Sequence, residues 1–172
     1  MRDELLVKVQ LVAHDPAWAG AYERQAERIR GALGDRIVLL EHVGSTSIPG
    51  IVAKPKIDIL LAVPDSADEE AYVPALERAG FRLHIREPDW HEHRLLHRHD
   101  ADLNLHVFSG GCGELERMVR FRDHLRANAA DREVYERTKV ELARREWETT
   151  QNYADAKTDV VEGIIARASA RR

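Results

Sequence analysis

Gly44-Ser45-Thr46 and Asp58 are the residues of this chain whose types and spacing suit chemistry. A glycine lets the backbone approach a ligand closely, and the N–H and hydroxyl groups that follow it can hold phosphate oxygens. Asp58 interrupts an apolar run, Ile57-Asp58-Ile59-Leu60-Leu61-Ala62-Val63. An unpaired carboxylate in such a strand carries a heavy desolvation cost, so Asp58 is either paired within the fold or faces a site. A phosphate-holding turn beside a carboxylate able to take a divalent cation is the minimum for metal-assisted phosphoryl or nucleotidyl transfer. The turn is not a Walker A loop, because no Gly-Lys-Ser/Thr appears at the required spacing. Taken alone, Gly-Ser also reads as an ordinary tight turn.

Other polar residues gather around this pair in sequence. His42 sits next to the turn, either as a satisfied structural histidine or as a ligand contact. Lys54 and Lys56 bracket Pro55 and could neutralise a phosphate; Lys56 could also pair with Asp58 on the same strand face. Lys157 shares a helical face with Tyr153, Val160 and Val161, unusual company for a solvated lysine, and could reach into the site. His91, His93, His97, His99 and His106 suggest zinc. However, His91-Glu92-His93 lacks the helical spacing of a His-Glu-x-x-His site, and His93 and His99 would lie ~20 Å apart on a straight strand.

These groups need elements to hold them. Asp15-Pro16 reads as a helix start, and Trp18, Ala21, Tyr22, Gln25, Ile29, Ala32 and Leu33 continue at helical spacing to Gly34. Residues 5–12 read as an opening strand or extended arm, and 36–43 as the first core strand. Ser66-Ala67-Asp68-Glu69 predicts a capping box for a helix through Ala79, with Pro74 kinking it or delaying its start. Strands are expected over 81–86, 93–99 and 102–108. The last alternates Asp102, Asn104, His106 and Phe108 against Leu103, Leu105 and Val107. A two-residue turn at Asp100-Ala101 would pair His97 with Asn104, Leu95 with His106 and His93 with Phe108, giving a His-rich polar face opposite a core face. From Glu114 the chain reads as helical. Leu115, Met118, Val119, Arg122 and Leu125 form one stripe. Asp131 caps a second helix carrying Val134, Tyr135, Thr138 and Leu142, and a last helix runs from Tyr153 to Ile165.

Composition narrows the classes. The 172 residues suffice for one domain, 1–172, with a proper core. The formal net charge is −4 and no basic stripe is present, which disfavours extended nucleic acid as a partner. A single Cys112 excludes an internal disulfide framework and fits a reducing compartment. Met1-Arg2-Asp3-Glu4-Leu5 does not begin a signal peptide, and no apolar stretch approaches the ~20 residues of a membrane span. A cytoplasmic location is expected.

The run His42-Val43-Gly44-Ser45-Thr46-Ser47-Ile48-Pro49-Gly50, then Ala53-Lys54-Pro55 and Ile57-Asp58-Ile59-Leu60, resembles the GrpB family. Asp15-Pro16-Ala17-Trp18, Asn104-Leu105-His106-Val107, Phe121-Arg122-Asp123-His124-Leu125-Arg126, and Tyr153 with Lys157 extend the resemblance over nearly the whole chain. That family also occurs fused to dephospho-CoA kinase. The resemblance implies an α+β, nucleotidyltransferase-like fold: a mixed sheet with helices packed on one face and a helical C-terminal part. It also implies a divalent-metal-dependent transferase acting on a nucleotide or another small phosphorylated substrate. Asp58 and His106 would be catalytic and would hold Mg²⁺ or Mn²⁺. His42, Gly44, Ser45, Thr46, Lys54, Asn104 and Lys157 would bind substrate and its phosphates. Active nucleotidyltransferases carry two carboxylates one residue apart on the strand after Gly-Ser. Here Asp58 fills the first position and Leu60 the second, and leucine binds no metal. The alternative is a non-catalytic module that binds a nucleotide, a phosphate ligand or a partner on a degenerate version of this fold.

Overall fold

The computed structural model describes residues 6–170; the charged stretch Met1-Arg2-Asp3-Glu4-Leu5 lies outside them. The elements run β1 (Val7–Lys8), α1 (Ala17–Leu33), β2 (Leu39–Val43), β3 (Ile57–Val63), α2 (Val73–Arg78), β4 (Arg82–Glu87), β5 (His93–Arg98) and β6 (Ala101–Ser109). Then follow α3 (Gly113–Ala127), α4 (Ala129–Ala143), β7 (Glu146–Trp147), α5 (Thr150–Asp155) and α6 (Thr158–Ala170). The main sheet has the order β2-β3-β6-β5-β4, with β3 and β6 parallel and the other pairs antiparallel. This is a mixed α+β arrangement. Among the described residues no helix is long and apolar enough to cross a membrane.

β3 is an interior strand covered on both faces, which is why it reads as a nearly unbroken apolar run. Ile57, Ile59, Leu61 and Val63 face α1 and α2, where Trp18, Tyr22, Ala26, Ile29 and Leu33 form the buried stripe of α1. Leu60 and Ala62 face the other way and pack with Val43, Phe108 and Leu115 under α3. Asp58 belongs to this second face, one strand step beyond the apolar patch. Its backbone neighbours are Val43 on β2 and Asn104 on β6. Buried Arg122 ties α3 to β2 by donating to Glu41 Oε2 at 2.7 Å and to the His42 carbonyl at 2.9 Å. That clamp fixes the end of β2, from which the Gly44 turn departs.

Several local expectations change. Ser66 and Glu69 form no capping box: Ser66 Oγ donates to the Glu92 carbonyl, and Glu69 accepts from Arg86 and Arg94. Tertiary ion pairs outcompete the local cap. A short 3₁₀ turn covers Glu69–Ala71, and Pro74 delays the helix, which begins at Val73. The β5–β6 hairpin turns at His99-Asp100, with Arg98 opposite Ala101, and not at Asp100-Ala101. Arg98 sets this turn by gripping both oxygens of Asp100 at 2.8 Å and the Ala79 carbonyl at 2.6 Å. An irregularity between Leu96 and Arg98 then restores the expected register, so Leu95 does face His106. Asn128, not Asp131, caps α4, its side chain accepting from the Asp131 N–H. Asp131 instead takes His124 and Arg167. The last helical stretch breaks at Ala156-Lys157 into α5 and α6. The opening arm is tied down twice, by β1 pairing with β7 and by a bridge between Val12 and Ala53.

Candidate functional site

Gly44 leaves β2 with φ 72° and ψ −177°, a region open essentially to glycine alone, and a 3₁₀ turn follows over Ser45–Ser47. A Cβ on Gly44 would lie 2.5 Å from Asp58 Oδ2. Turn and carboxylate therefore touch, as their types suggested. The turn is held from within: Ser47 Oγ donates to the Gly44 carbonyl at 2.5 Å.

The pair opens into a cavity of about 360 Å³, lined by Gly44, Ser45, Thr46, Lys54, Lys56, Asp58, Asn104, His106, Tyr135, Lys139 and Lys157, with Tyr153 and the start of α5 closing it. Asn104 Nδ2 donates to Asp58 Oδ1 at 3.1 Å, and His106 Nε2 lies 3.3 Å from the same oxygen. Burial pushes the Asp58 carboxyl up, but the His106 and Asn104 hydrogen bonds and the Lys54 charge more than offset it and hold it below the ordinary carboxylate range.

The expected His-rich face is present and ordered. Glu87 Oε2 lies 2.6 Å from His93 Nδ1, His93 Nε2 lies 3.1 Å from His106 Nδ1, and His106 then meets Asp58. A chain of four groups thus links an exposed carboxylate to the cavity floor. Carboxylates accept, so the two end bonds take their N–H from the His93 and His106 rings. Both nitrogens of His106 are engaged, which leaves no lone pair aimed at an ion. Asp58 and His106, expected to hold a divalent metal together, are hydrogen-bonded to each other. The second-carboxylate position, Leu60, is fully buried in the α3-facing cluster. Among the described residues no three His, Cys, Asp or Glu side chains converge on one point. This donor set does not fit a resident one- or two-metal centre.

Positive charge comes instead from lysines. Among the described residues four of them and one carboxylate line the cavity. Lys157 Nζ sits 4.4 Å from the Tyr153 ring centroid and Lys54 Nζ 5.7 Å from it, so one buried aromatic steers two ammonium groups without neutralising them. Lys139 donates to the Val52 carbonyl at 2.5 Å and lies over Tyr135. Burial, then the neighbouring Lys157, pushes Lys139 down to about 7; burial, then Lys54, pushes Lys157 down to about 8. Lys54 is also lowered, by burial first. The Tyr153 hydroxyl is buried with no hydrogen-bond partner among the described residues.

The expected residues Gly44, Ser45, Thr46, Lys54, Asp58, Asn104, His106 and Lys157 all line this cavity. His42 does not. It lies on the opposite face of β2, stacked on Tyr22, and acts through Thr46, whose Oγ1 is 3.0 Å from His42 Nε2. The reason is strand alternation: Val43 pairs with Asp58, so His42 must point away. Lys139 is new to the site, and Tyr135 and Tyr153, expected only on helix faces and, for Tyr153, beside Lys157, also line it. A lysine sits on the buried stripe Tyr135, Lys139, Leu142, and that spacing was the available signal.

A second cavity of about 560 Å³ adjoins the first and shares Gly44, Tyr135, Gln151, Ala154 and Lys157 with it. Its wall is largely apolar and aromatic, with Trp90, Phe121, Met118, Val161 and Ile165. The combined space is lysine-lined at one end; the other end is lined by rings and aliphatic groups, with Arg117, Asp155 and Glu162 among them.

Comparison with known proteins agrees with the extent of the sequence motifs. The family model described as GrpB protein matches residues 8–167. A UPF0157 protein of Halalkalibacterium halodurans is 56% identical over 162 residues, covering 94% of this chain and 83% of that protein. A dephospho-CoA kinase of Mycobacterium bovis is 29% identical over 175 residues, covering 86% of this chain and 43% of that protein. The crystal structure of the conserved protein GrpB from Enterococcus faecalis superimposes with a TM-score of 0.81 at 26% identity, covering 92% of this chain and 96% of that one.

Proposed function

This chain belongs to the GrpB family, and we propose that its lysine-lined cavity binds the phosphates of a nucleotide or a similar small phosphorylated molecule. The observation that carries the reading is the excess of cations at the Gly44–Ser45 turn, with one carboxylate among the lining charges. A cleft of one sign with low-dielectric walls concentrates the opposite charge. Ser45, Thr46 and the turn's backbone would hold phosphate oxygens, and Lys54, Lys139 and Lys157 would supply the charge that a metal supplies elsewhere. The adjoining aromatic cavity favours a nucleotide over a bare phosphate, because Trp90 and Phe121 offer ring faces and apolar edges to a base. A divalent ion, Mg²⁺ or Mn²⁺, would then arrive with the phosphates and find one protein carboxylate, Asp58. Ligand class and the free Cys112 both fit a cytoplasmic protein.

Group transfer is the second reading, and the observation that favours it is Asp58 itself. Its carboxylate sits against the turn, backed by His106, where an acceptor hydroxyl would lose its proton. Thermal stabilisation by a panel of nucleotides, with and without Mg²⁺ or Mn²⁺, separates the readings. Binding without turnover predicts stabilisation that needs no metal, that Lys157→Gln weakens about tenfold or more in affinity, and that survives Asp58→Ala. Transfer predicts product formation that Asp58→Ala abolishes. If no nucleotide or phosphate compound shifts the melting temperature of the parent chain, both readings fail.

The lysines also set a pH dependence. Their folded values, about 7 and about 8, lie below the ordinary 10.5. Above about pH 7 the unfolded chain therefore binds more protons than the folded one, and the unliganded protein gains stability as pH rises toward 10.5. Anion binding runs the other way, because it needs the charged ammonium. Affinity should be full below about pH 7 and fall as pH rises through 8. At pH 8 binding should take up protons, which calorimetry in two buffers of different ionisation enthalpy measures directly. An affinity flat to pH 9 would show that these lysines do not contact the ligand.

A further inference from the structure

Behind the same turn lies another cavity, of about 490 Å³, whose wall includes His14, His42, Thr46, Ser47, Arg126 and Arg132. Among the described residues its lining contains no carboxylate. Both guanidinium groups are steered by backbone oxygens. Arg126 Nε donates to the Ser47 carbonyl at 2.9 Å, and Arg132 donates to the Leu125 carbonyl at 2.9 Å and the Arg126 carbonyl at 3.1 Å. A carbonyl orients a guanidinium but does not neutralise it. The charge is felt by neighbours: burial, then Arg126, pushes His42 down to about 4, and burial, then Arg122, lowers Arg126 itself against the weaker opposing pull of Asp123 and Glu41, which lie outside the cavity lining. His42 therefore lines the cavity as a neutral ring held by Thr46.

From the two backbone-anchored guanidiniums facing a carboxylate-free cavity, we infer a second oxyanion site, separate from the lysine-lined one, that takes a phosphate-bearing small molecule through Arg126 and Arg132. The guanidinium fork matches the geometry of phosphate oxygens, and pairing both ends of a charge-assisted bond is what these two side chains lack among the described residues. Placement argues against an extension of the front cavity. The two spaces lie on opposite faces of β2 and share Thr46 in the turn between them. Thr46 therefore reports on both sites, and because Ser47 belongs to the same short turn, substitutions must separate them.

The test is a titration of the full chain with inorganic phosphate, followed by NMR of the His14 ring and the Ser47 amide. Ala19→Glu places a carboxylate at the rim of the rear cavity from an exposed position on α1, so it blocks the site without disturbing the core. Arg126→Gln removes the fork directly, and Lys157→Gln weakens the front site only. The expected result is a saturable shift of both reporters whose apparent Kd rises at least about tenfold in Ala19→Glu and Arg126→Gln and is unchanged in Lys157→Gln. A response that does not saturate overturns the inference. So does a shift that Lys157→Gln removes and Ala19→Glu leaves intact. An equal response to acetate at matched concentration and ionic strength overturns the assignment to phosphate.

Discussion

Leu60→Asp is expected to unfold the chain and not to create a metal site. The substitution puts a carboxylate two residues after Asp58, at the position where the expected transferase site would need its second one. In this protein that position is fully buried among Val43, Ala62, Phe108 and Leu115. Removing the leucine side chain alone costs about 2–5 kcal/mol, and an unpaired buried charge adds several more. Together these approach or exceed the ~5–15 kcal/mol that holds a typical domain folded. The His106 backbone lies opposite Leu60, but its ring is already committed to His93 and Asp58. Urea denaturation should show no cooperative transition for Leu60→Asp at neutral pH. Leu60→Met, which keeps volume, should lose less than about 1.5 kcal/mol. A folded Leu60→Asp protein that binds Mn²⁺ would mean that the α3 cover lifts readily and that this face is a dormant metal centre.

Gly44→Ala should cost about 3 kcal/mol or more and should disable the front site. Two effects add. The backbone conformation is one that residues with a Cβ adopt only under strain of about 1–3 kcal/mol. The new methyl would also lie 2.5 Å from Asp58 Oδ2 and 3.0 Å from Asp58 Cβ, so the carboxylate must leave the bonds it makes with Asn104 and His106. Gly50 supplies the control. It too has a positive φ, 86°, but an added Cβ there meets nothing within 4 Å. Gly50→Ala should therefore show the strain without the clash, about 1–2 kcal/mol. The clash has its own signature in a double-mutant cycle: combining Gly44→Ala with Asp58→Ala should cost less than the sum of the two, by about 1 kcal/mol or more. Additivity within error would place the whole effect in the backbone.

Both outcomes turn on side chains that the sequence ranks correctly but does not place. The strands were legible because β3 and β6 carry strong patterns, an apolar run and a strict alternation. The face shared by Asp58, Asn104 and His106 follows from parallel pairing of those two strands. The hairpin register was not legible at its turn, since it depends on Arg98 reaching both Asp100 and the Ala79 carbonyl. The Ser66–Glu69 cap failed for a similar reason: Glu69 is taken by two arginines from β4 and β5. Local patterns lose wherever a partner distant in sequence offers a stronger bond.

The sequence by itself determined the family, the mixed α+β fold, and the contact between a glycine turn and one aspartate. Family and fold came from the resemblance that the long motifs carry, and the turn and Asp58 meet because β2 and β3, which hold them, are neighbours in the sheet. The tertiary structure decided the charge of the site. Lys139 comes from α4, Lys157 from the break between α5 and α6, and Lys54 from the loop before β3, and only packing brings them to one cavity. It also decided that Leu60 is sealed under α3 and that His42 faces the other cavity. Burial and strand alternation act over the whole fold, so the surroundings read from the chain as a carboxylate site are, in space, a cavity lined with lysines around Asp58.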